Sequence, residues 1–200
     1  MQPNILIADD HIMISKGLRK SMEMEFGYTD VYSVTSCSEI LKELKKKIYT
    51  HIILDMGLSD GSALEILPTI KSLYPELRIM IFSAKSAAAY QKALRHYGIH
   101  NYLSKEEDES QTLVRLREFF YNEKVSSPQE DASENPFSTL TAREMEIFHY
   151  ILQGMGSAEI GKILNLKLNT VSTLKGRMLE KTNTRNIKEL CELAVIYNVT

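Results

Sequence analysis

Acidic residues, a serine and a lysine stand at or after the ends of four short apolar runs of the sequence. They are Asp9 and Asp10 after the first run, Asp55 after the third, Ser83 at the end of the fourth, and Lys105 after the fifth. If the three carboxylates converge, they repel one another and bind a hard divalent cation, for which Mg²⁺ suits the oxygen ligands. A hydroxyl and an ammonium group beside them are what a transferred phosphoryl group needs around its oxygens. A carboxylate can itself be the nucleophile and become an aspartyl phosphate.

These residues come together only if the apolar runs are strands of one sheet. Five short apolar runs alternate with five amphipathic segments, which predicts strands at 4–9, 31–35, 51–55, 78–83 and 101–103 and helices at 11–26, 37–48, 63–74, 87–97 and 107–121. Parallel strands need long crossovers, and the apolar run Ile52–Leu54 suits a strand buried on both faces. The sequence therefore predicts an α/β fold with a doubly wound five-stranded parallel sheet, where chemical groups collect beyond the carboxyl ends of the strands.

A second unit follows a polar segment. Residues 122–137 read NEKVSSPQEDASENPF and are rich in Ser, Pro, Asn and acidic residues, which predicts a linker. Beyond it the pattern predicts a small all-α domain of four helices, at 141–153, 158–164, 170–182 and 187–197. We therefore predict domains at 1–121 and 138–200, joined by that linker.

Charge differs between the two predicted parts of the chain. The whole chain carries 24 basic and 26 acidic side chains, so its overall charge predicts no nucleic-acid, membrane or acidic partner. Residues 1–137 carry 16 basic and 20 acidic side chains, whereas residues 138–200 carry 8 and 6, a net charge of +2. The C-terminal part is the better candidate for contact with phosphate.

Two other features concern the cellular environment. Cys37 and Cys191 lie far apart and in different predicted domains, which excludes a disulfide framework and a zinc cluster. No apolar stretch approaches the roughly 18 residues of a membrane span, and MQPNILIADD lacks a basic segment before a long apolar run. These features predict a soluble, unprocessed, cytoplasmic protein.

The segments ILIADDH, IILDMGL, IFSAK and YLSKEED resemble the motifs of receiver domains in two-component response regulators. This resemblance covers residues 1 to about 121 and implies the flavodoxin-like strand order 2-1-3-4-5. It implies Asp55 as the phosphoacceptor, and Asp10, Asp55 and the Gly57 carbonyl as ligands of Mg²⁺. Asp9 would hold a metal-bound water.

The same resemblance assigns the remaining positions of the site. Ser83 would bond the phosphoryl group, Lys105 would pair with it, and Tyr102 falls at the aromatic position that switches with Ser83. Three positions depart from the family, since Leu58-Ser59 stands where Met-Pro is common and Ala63 where Gly is common. Without Pro at 59 a more mobile loop is expected, so metal geometry and phosphate lifetime are not carried over.

Residues 138–200 resemble the LuxR-type helix-turn-helix of the NarL/FixJ class through LTAREMEIFHYILQGMGSAEIGKIL and NTVSTLKGRMLEKTNTRNIKEL. On the predicted helix 170–182, Val171, Leu174 and Met178 form a stripe that faces a small core. The remaining faces hold the candidate DNA contacts Thr170, Ser172, Thr173, Lys175, Gly176, Arg177 and Lys181. Small residues would meet base edges and cations the phosphates, although a merely solvated charged face is the alternative.

The helix also departs from its family. Lys or Arg is usual where Ser172 stands, His is common at Leu174, and a larger polar residue is common at Gly176. A glycine inside a helix costs about 1 kcal/mol relative to alanine. The DNA sequence that the family recognises is therefore not carried over to this chain.

Three functions fit these features. In the first, Asp55 takes a phosphoryl group from a partner histidine kinase, and the protein then binds double-stranded DNA as a homodimer to regulate transcription. In the second, the receiver does not respond to phosphate and serves as a dimerisation platform. In the third, the pocket is that of a phosphatase-type enzyme, which the DNA-binding segment argues against. In the first reading, catalysis is limited to self-phosphorylation and dephosphorylation.

Overall fold

The computed structural model describes residues 3–121 and 135–200. These residues form two compact units, one of residues 3–84 and 99–121 and the other of residues 85–98 and 135–200. Over the described ranges, every helix is too short or too polar to cross a membrane.

The first unit is built on a parallel sheet. The strands of the described residues are β1 (Ile5–Ala8), β2 (Val31–Val34), β3 (His51–Leu54), β4 (Gly57–Leu58), β5 (Gly61–Ser62), β6 (Arg78–Ser83) and β7 (Asn101–Ser104). Five of them form the sheet in the order β2-β1-β3-β6-β7, which confirms the predicted flavodoxin-like order. Ala8 pairs with Leu54, and Leu54 pairs with Ile81. The residues that follow β1 and β3 therefore leave the sheet at the same edge.

Four helices belong to this unit, namely α1 (Ile12–Phe26), α2 (Cys37–Lys46), α3 (Ala63–Leu73) and α5 (Glu109–Tyr121). A buried cluster joins the sheet to α1 and α5 through Met22, Leu116 and Phe119. Full burial of one such side chain contributes about 1.5–3 kcal/mol. This cluster fixes the sheet that carries the predicted site.

Local sequence explains where the helices begin. Ser36 accepts a hydrogen bond from the Glu39 N–H and starts α2. The Glu39 carboxylate bonds to the Thr35 N–H and hydroxyl, at 2.8 Å and 3.1 Å. A capping box between Ser62 and Glu65 starts α3.

The second unit is helical. Its elements are α4 (Ala87–His96), a 3₁₀ turn (Pro136–Thr139), α6 (Ala142–Leu152), α7 (Ser157–Ile163), α8 (Leu168–Lys181) and α9 (Ile187–Ile196). Phe137 is fully buried, and its ring stacks on Phe148 with centroids 5.4 Å apart. A capping box of Thr141 with Glu144 starts α6. The four predicted helices of this part are thus present.

Helix α4 belongs to this second unit, although sequence places it among the receiver segments. The Tyr90 hydroxyl donates to the Val199 carbonyl at 2.7 Å, and the Lys92 Nζ donates to the Thr139 carbonyl at 2.8 Å. The compact units therefore differ from the predicted domains in the segment 85–98, and the boundaries 1–121 and 138–200 stay a prediction. The predicted linker lies outside the described residues up to position 134, and its final Phe137 lies in the core.

Candidate functional site

The sheet brings the predicted carboxylates together at its carboxyl edge. The Asp55 N–H donates to the Ala8 carbonyl at 2.8 Å, and the Asp9 N–H donates to the Val34 carbonyl at 3.1 Å. Asp9 and Asp55 are buried, whereas Asp10 is exposed. Asp9, Asp10, Asp55 and His11 each offer a ligand atom, and these atoms lie within 4.8 Å of one another. This is a convergent donor set for a cation.

Lys105 balances the buried negative charge. Its Nζ lies 2.6 Å from Asp55 Oδ2 and 2.8 Å from Asp9 Oδ2, and its side chain is only 9% exposed. Burial of carboxylates without a cation is costly because they lose their water, and the Lys105 ammonium contacts both Asp9 and Asp55. The Lys105 N–H donates to the Ser83 carbonyl at 3.0 Å, which ties the lysine to the end of β6.

Three further predicted residues lie on elements at or beside this edge. Ser83 is the last residue of β6 and is 2% exposed, and it pairs with Ser104 in β7. Tyr102 is half-buried in β7, in register with Ile81. Gly57 begins β4, two residues beyond the phosphoacceptor candidate.

The helix-turn-helix places the predicted DNA-contacting residues on α8. Val171 and Met178 are fully buried and Leu174 is half-buried, so this stripe faces inward. The exposed residues of the predicted set are Thr170, Ser172, Thr173, Gly176, Arg177 and Lys181. α8 begins at Leu168, two residues before the predicted start.

Two of the predicted cations on α8 already have partners within the second unit. The Lys175 Nζ donates to the Ser157 hydroxyl at 3.1 Å, which links α8 to the start of α7. The Lys181 Nζ lies 2.6 Å from the Glu144 carboxylate on α6. Arg177 is exposed and takes part in neither of these two bonds. It is therefore the cation of the predicted set that remains the candidate for contact with phosphate.

Comparison with known proteins assigns the family. The model for the response regulator receiver domain matches residues 5–117, which is more than half of the chain. The chain is a response regulator. A second model, for the luxR family of bacterial regulatory proteins, matches residues 138–194. This response regulator therefore has a receiver domain and a LuxR-type DNA-binding domain, as its sequence predicted.

Relatives cover nearly the full length of this response regulator. The nitrate/nitrite response regulator protein NarP of Escherichia coli is 27% identical over 192 residues, covering 91% of this chain and 89% of NarP. The response regulator UvrY of Escherichia coli is 24% identical over 203 residues, covering 96% of this chain and 93% of UvrY. Phosphorylation-dependent regulation is typical of this family of DNA-binding regulators.

Solved structures show the same fold. RcsB from Salmonella enterica serovar Typhimurium, bound to promoter P1flhDC with the phosphomimetic BeF₃⁻, has a TM-score of 0.81 at 23% identity, covering 96% of this chain and 98% of that chain. A structure of two RcsB dimers bound to two parallel DNAs has a TM-score of 0.78 at 22% identity, covering 99% of this chain and 100% of that chain.

Sequence reasoning missed three residues of this response regulator. His11 adds an imidazole to the acidic cluster, with Nδ1 at 2.8 Å from Asp10 Oδ1, and its position directly after Asp10 was the available signal. A Cβ on Gly161 would lie 2.9 Å from the Leu166 carbonyl oxygen, so only glycine fits where α7 meets the following turn. Asp60 contacts α2, and nothing in the local sequence indicates that pairing.

Proposed function

We propose that this response regulator accepts a phosphoryl group on Asp55 from a sensor histidine kinase and then binds double-stranded DNA as a homodimer. The observation that carries the proposal is the Asp55 side chain itself. It is buried at the carboxyl edge of the sheet, contacts the Lys105 ammonium at 2.6 Å, and adjoins two further carboxylates.

In the proposed transfer, an Asp55 oxygen bonds to phosphorus while the phosphorus–nitrogen bond of the kinase phosphohistidine breaks. The leaving imidazole takes up a proton. The Lys105 ammonium, which contacts Asp55 Oδ2, pairs with the phosphoryl oxygens, and the Ser83 hydroxyl donates to one of them. The same groups serve self-phosphorylation from small phosphodonors and later dephosphorylation.

A magnesium ion fits the donor set, because carboxylate oxygens that converge within 4.8 Å are hard ligands. Asp10, Asp55 and the Gly57 carbonyl would hold it, and Asp9 would hold one of its water ligands. When bound, the ion supplies positive charge that offsets the charge of the carboxylates and the phosphoryl group.

Control of output follows from a two-state receiver. Phosphorylation shifts the balance between two states only by its differential affinity for them. We assign that difference to Ser83 bonding the phosphoryl group and to Tyr102 rearranging with it. The phosphorylated state favours the homodimer.

DNA binding is assigned to α8, which would lie in the major groove. Its exposed Ser172, Thr173 and Gly176 would face base edges, while Arg177, with Thr170, Lys175 and Lys181, would face the backbone. The RcsB structures, which hold DNA and include dimers, support this use of the fold. The proposed domain boundaries are 1–121 and 138–200, with a linker between them.

Intact-mass measurement tests the phosphoacceptor. Wild-type protein treated with acetyl phosphate and Mg²⁺ should gain one phosphoryl group that hydroxylamine removes, and Asp55→Asn should gain none. The control is Asp30→Asn, whose carboxylate is exposed and pairs with Lys47. It should match the wild type. An adduct of equal yield in Asp55→Asn would refute the assignment.

Sedimentation separates this function from the dimerisation platform. The phosphorylated wild type should show a larger dimer fraction than the untreated protein. An equal dimer fraction with a stoichiometric adduct would favour a receiver that does not respond to phosphate.

A further inference from the structure

A short hairpin follows the phosphoacceptor candidate. Strands β4 and β5 pair antiparallel, with Gly57 opposite Ser62 and Leu58 opposite Gly61. The two residues of its turn are Ser59 and Asp60. Position 59 is where the family commonly has proline, and its absence predicts a more mobile loop.

The Asp60 carboxylate binds the start of α2. Its Oδ1 accepts a hydrogen bond from the Cys37 N–H at 2.5 Å, and its Oδ2 accepts one from the Ser38 N–H at 3.0 Å. The first N–H groups of a helix have no partner within the helix, and a negative charge there is favoured. The hairpin turn thus supplies partners that α2 lacks.

Ser59 makes a second attachment. Its N–H and its hydroxyl both donate to the Thr35 carbonyl, at 3.2 Å and 2.9 Å. Thr35 is itself held, because its N–H donates to the Glu39 carboxylate on α2 at 2.8 Å. Ser59 is therefore bonded to the segment between β2 and α2, and Asp60 to the first turn of α2.

We propose that Ser59 and Asp60 are positioning residues, which tether the hairpin to α2 and so hold the Gly57 backbone ready for Mg²⁺. This inference rests on the proposed function, in which the Gly57 carbonyl is a ligand. Gly57 pairs with Ser62 across the hairpin, so anchoring the turn restricts the strand that carries the ligand. Fixing a residue costs conformational entropy, and a ligand that is fixed before the ion binds does not add this cost to binding.

The tether is charged at neutral pH. Burial alone would raise the pKa of Asp60, but the hydrogen bonds from Ser38 and Cys37 outweigh it and hold that pKa below its ordinary value. The two N–H donors therefore meet a carboxylate under the conditions of phosphorylation.

The test compares two variants of the full chain that damage the same helix start. Asp60→Ala removes the tether, whereas Ser36→Ala removes the N-cap of α2 and leaves the tether in place. Mg²⁺ affinity is measured from backbone amide shifts during an NMR titration with MgCl₂. Loss of a group that orients a metal ligand weakens binding about ten-fold or more, so Asp60→Ala should bind Mg²⁺ about ten-fold more weakly and Ser36→Ala as the wild type does.

The other outcomes of the Mg²⁺ titration each overturn or support the tether. Unchanged affinity in Asp60→Ala, or an equal loss in Ser36→Ala, overturns the tether while leaving the proposed function intact. A wild type that binds no Mg²⁺ overturns the proposed function and the tether together. If Asp60→Ala does not fold, Ser59→Ala replaces it, and there a several-fold weaker Mg²⁺ affinity supports the tether, whereas wild-type affinity refutes it.

Discussion

Glu144 is a buried carboxylate that is matched by specific donors. Glu144, at 1% exposure, accepts hydrogen bonds from the Thr141 N–H at 2.8 Å and from the Lys181 Nζ at 2.6 Å. Burial alone would raise its pKa, but the bonds from Lys181 and Thr141 outweigh that effect and hold the pKa below 4.5. The charged form of Glu144 therefore stabilises the second unit.

The sign of the pH dependence follows from that lowered pKa. The stabilisation is complete above the ordinary pKa of 4.5 and is lost as pH falls through the lower value in the folded state. Glu144→Gln should reduce the free energy of unfolding by about 1–3 kcal/mol at pH 7, and the difference from wild type should shrink below pH 4.5. Urea unfolding at several pH values measures both effects.

The control for this prediction is Glu192→Gln. Glu192 is exposed and lies 3.8 Å from Lys188, and such surface pairs contribute at most about 1 kcal/mol. A cost in Glu144→Gln no larger than in Glu192→Gln at pH 7 would contradict the role assigned to the buried carboxylate.

At the scale of elements, α8 has an inward stripe of buried residues and an outward face of exposed residues, and the two have different roles. Val171 and Met178 anchor it in the core, and Lys175 ties it to α7 through Ser157. Gly161 lies in α7 and has no Cβ, so the turn between α7 and α8 can approach α7 closely. These contacts set the orientation of the exposed residues, which is what a recognition helix requires.

Substitutions at the edge and at the centre of the outward face of α8 should affect DNA binding in different ways. Arg177→Ala removes the phosphate contact proposed for Arg177, so binding to specific and random DNA should weaken about equally and the salt slope should fall by about 1. Thr173→Leu should instead alter the preferred sequence, with each blocked base contact worth about 1–3 kcal/mol. Titrations on a selected site and on scrambled DNA at several salt concentrations measure these effects.

Lys188→Ala serves as the control, because Lys188 is an exposed cation on α9. It should retain the wild-type salt slope. If Arg177→Ala also retained the wild-type affinity and slope on both DNAs, α8 would not lie in the groove as proposed.

At the scale of the molecule, the chain order itself connects the site to the helical unit. Ser83 ends β6, and α4 begins four residues later. α4 is bonded to the second unit through Tyr90 and Lys92. Residues 84–86 thus join the end of β6, along the chain, to a helix that groups with the helical unit.

The proposed two-state receiver makes a prediction for the variant Lys105→Ala. The variant keeps the Asp55 nucleophile but loses the ammonium that contacts Asp55 Oδ2, so phosphate can no longer favour one state through that contact. An Asp55 adduct should still form, while the increase in dimer fraction on phosphorylation should be lost. Sedimentation after intact-mass confirmation measures it, with the exposed Lys46 changed to Ala as the control. A dimer increase equal to that of the wild type would contradict this coupling.

The sequence by itself determined the strands, their parallel arrangement and the identity of the acidic site. Strictly apolar runs such as Ile52–Leu54 require burial on both faces, and the polar residues after them must then share the carboxyl edge. The resemblance added the strand order, which periodicity alone leaves open. The inward stripe of α8 was equally predictable, because helical spacing decides which residues share a face.

Only the tertiary structure decided which distant groups meet. Lys181 pairs with Glu144 across 37 positions, Asp60 with Cys37 across 23, and Lys105 with Asp55 across 50. The grouping of α4 with the C-terminal helices also came from tertiary contacts. Local periodicity reports which face of an element is buried, but the partner on that face is chosen by packing between elements that the sequence separates.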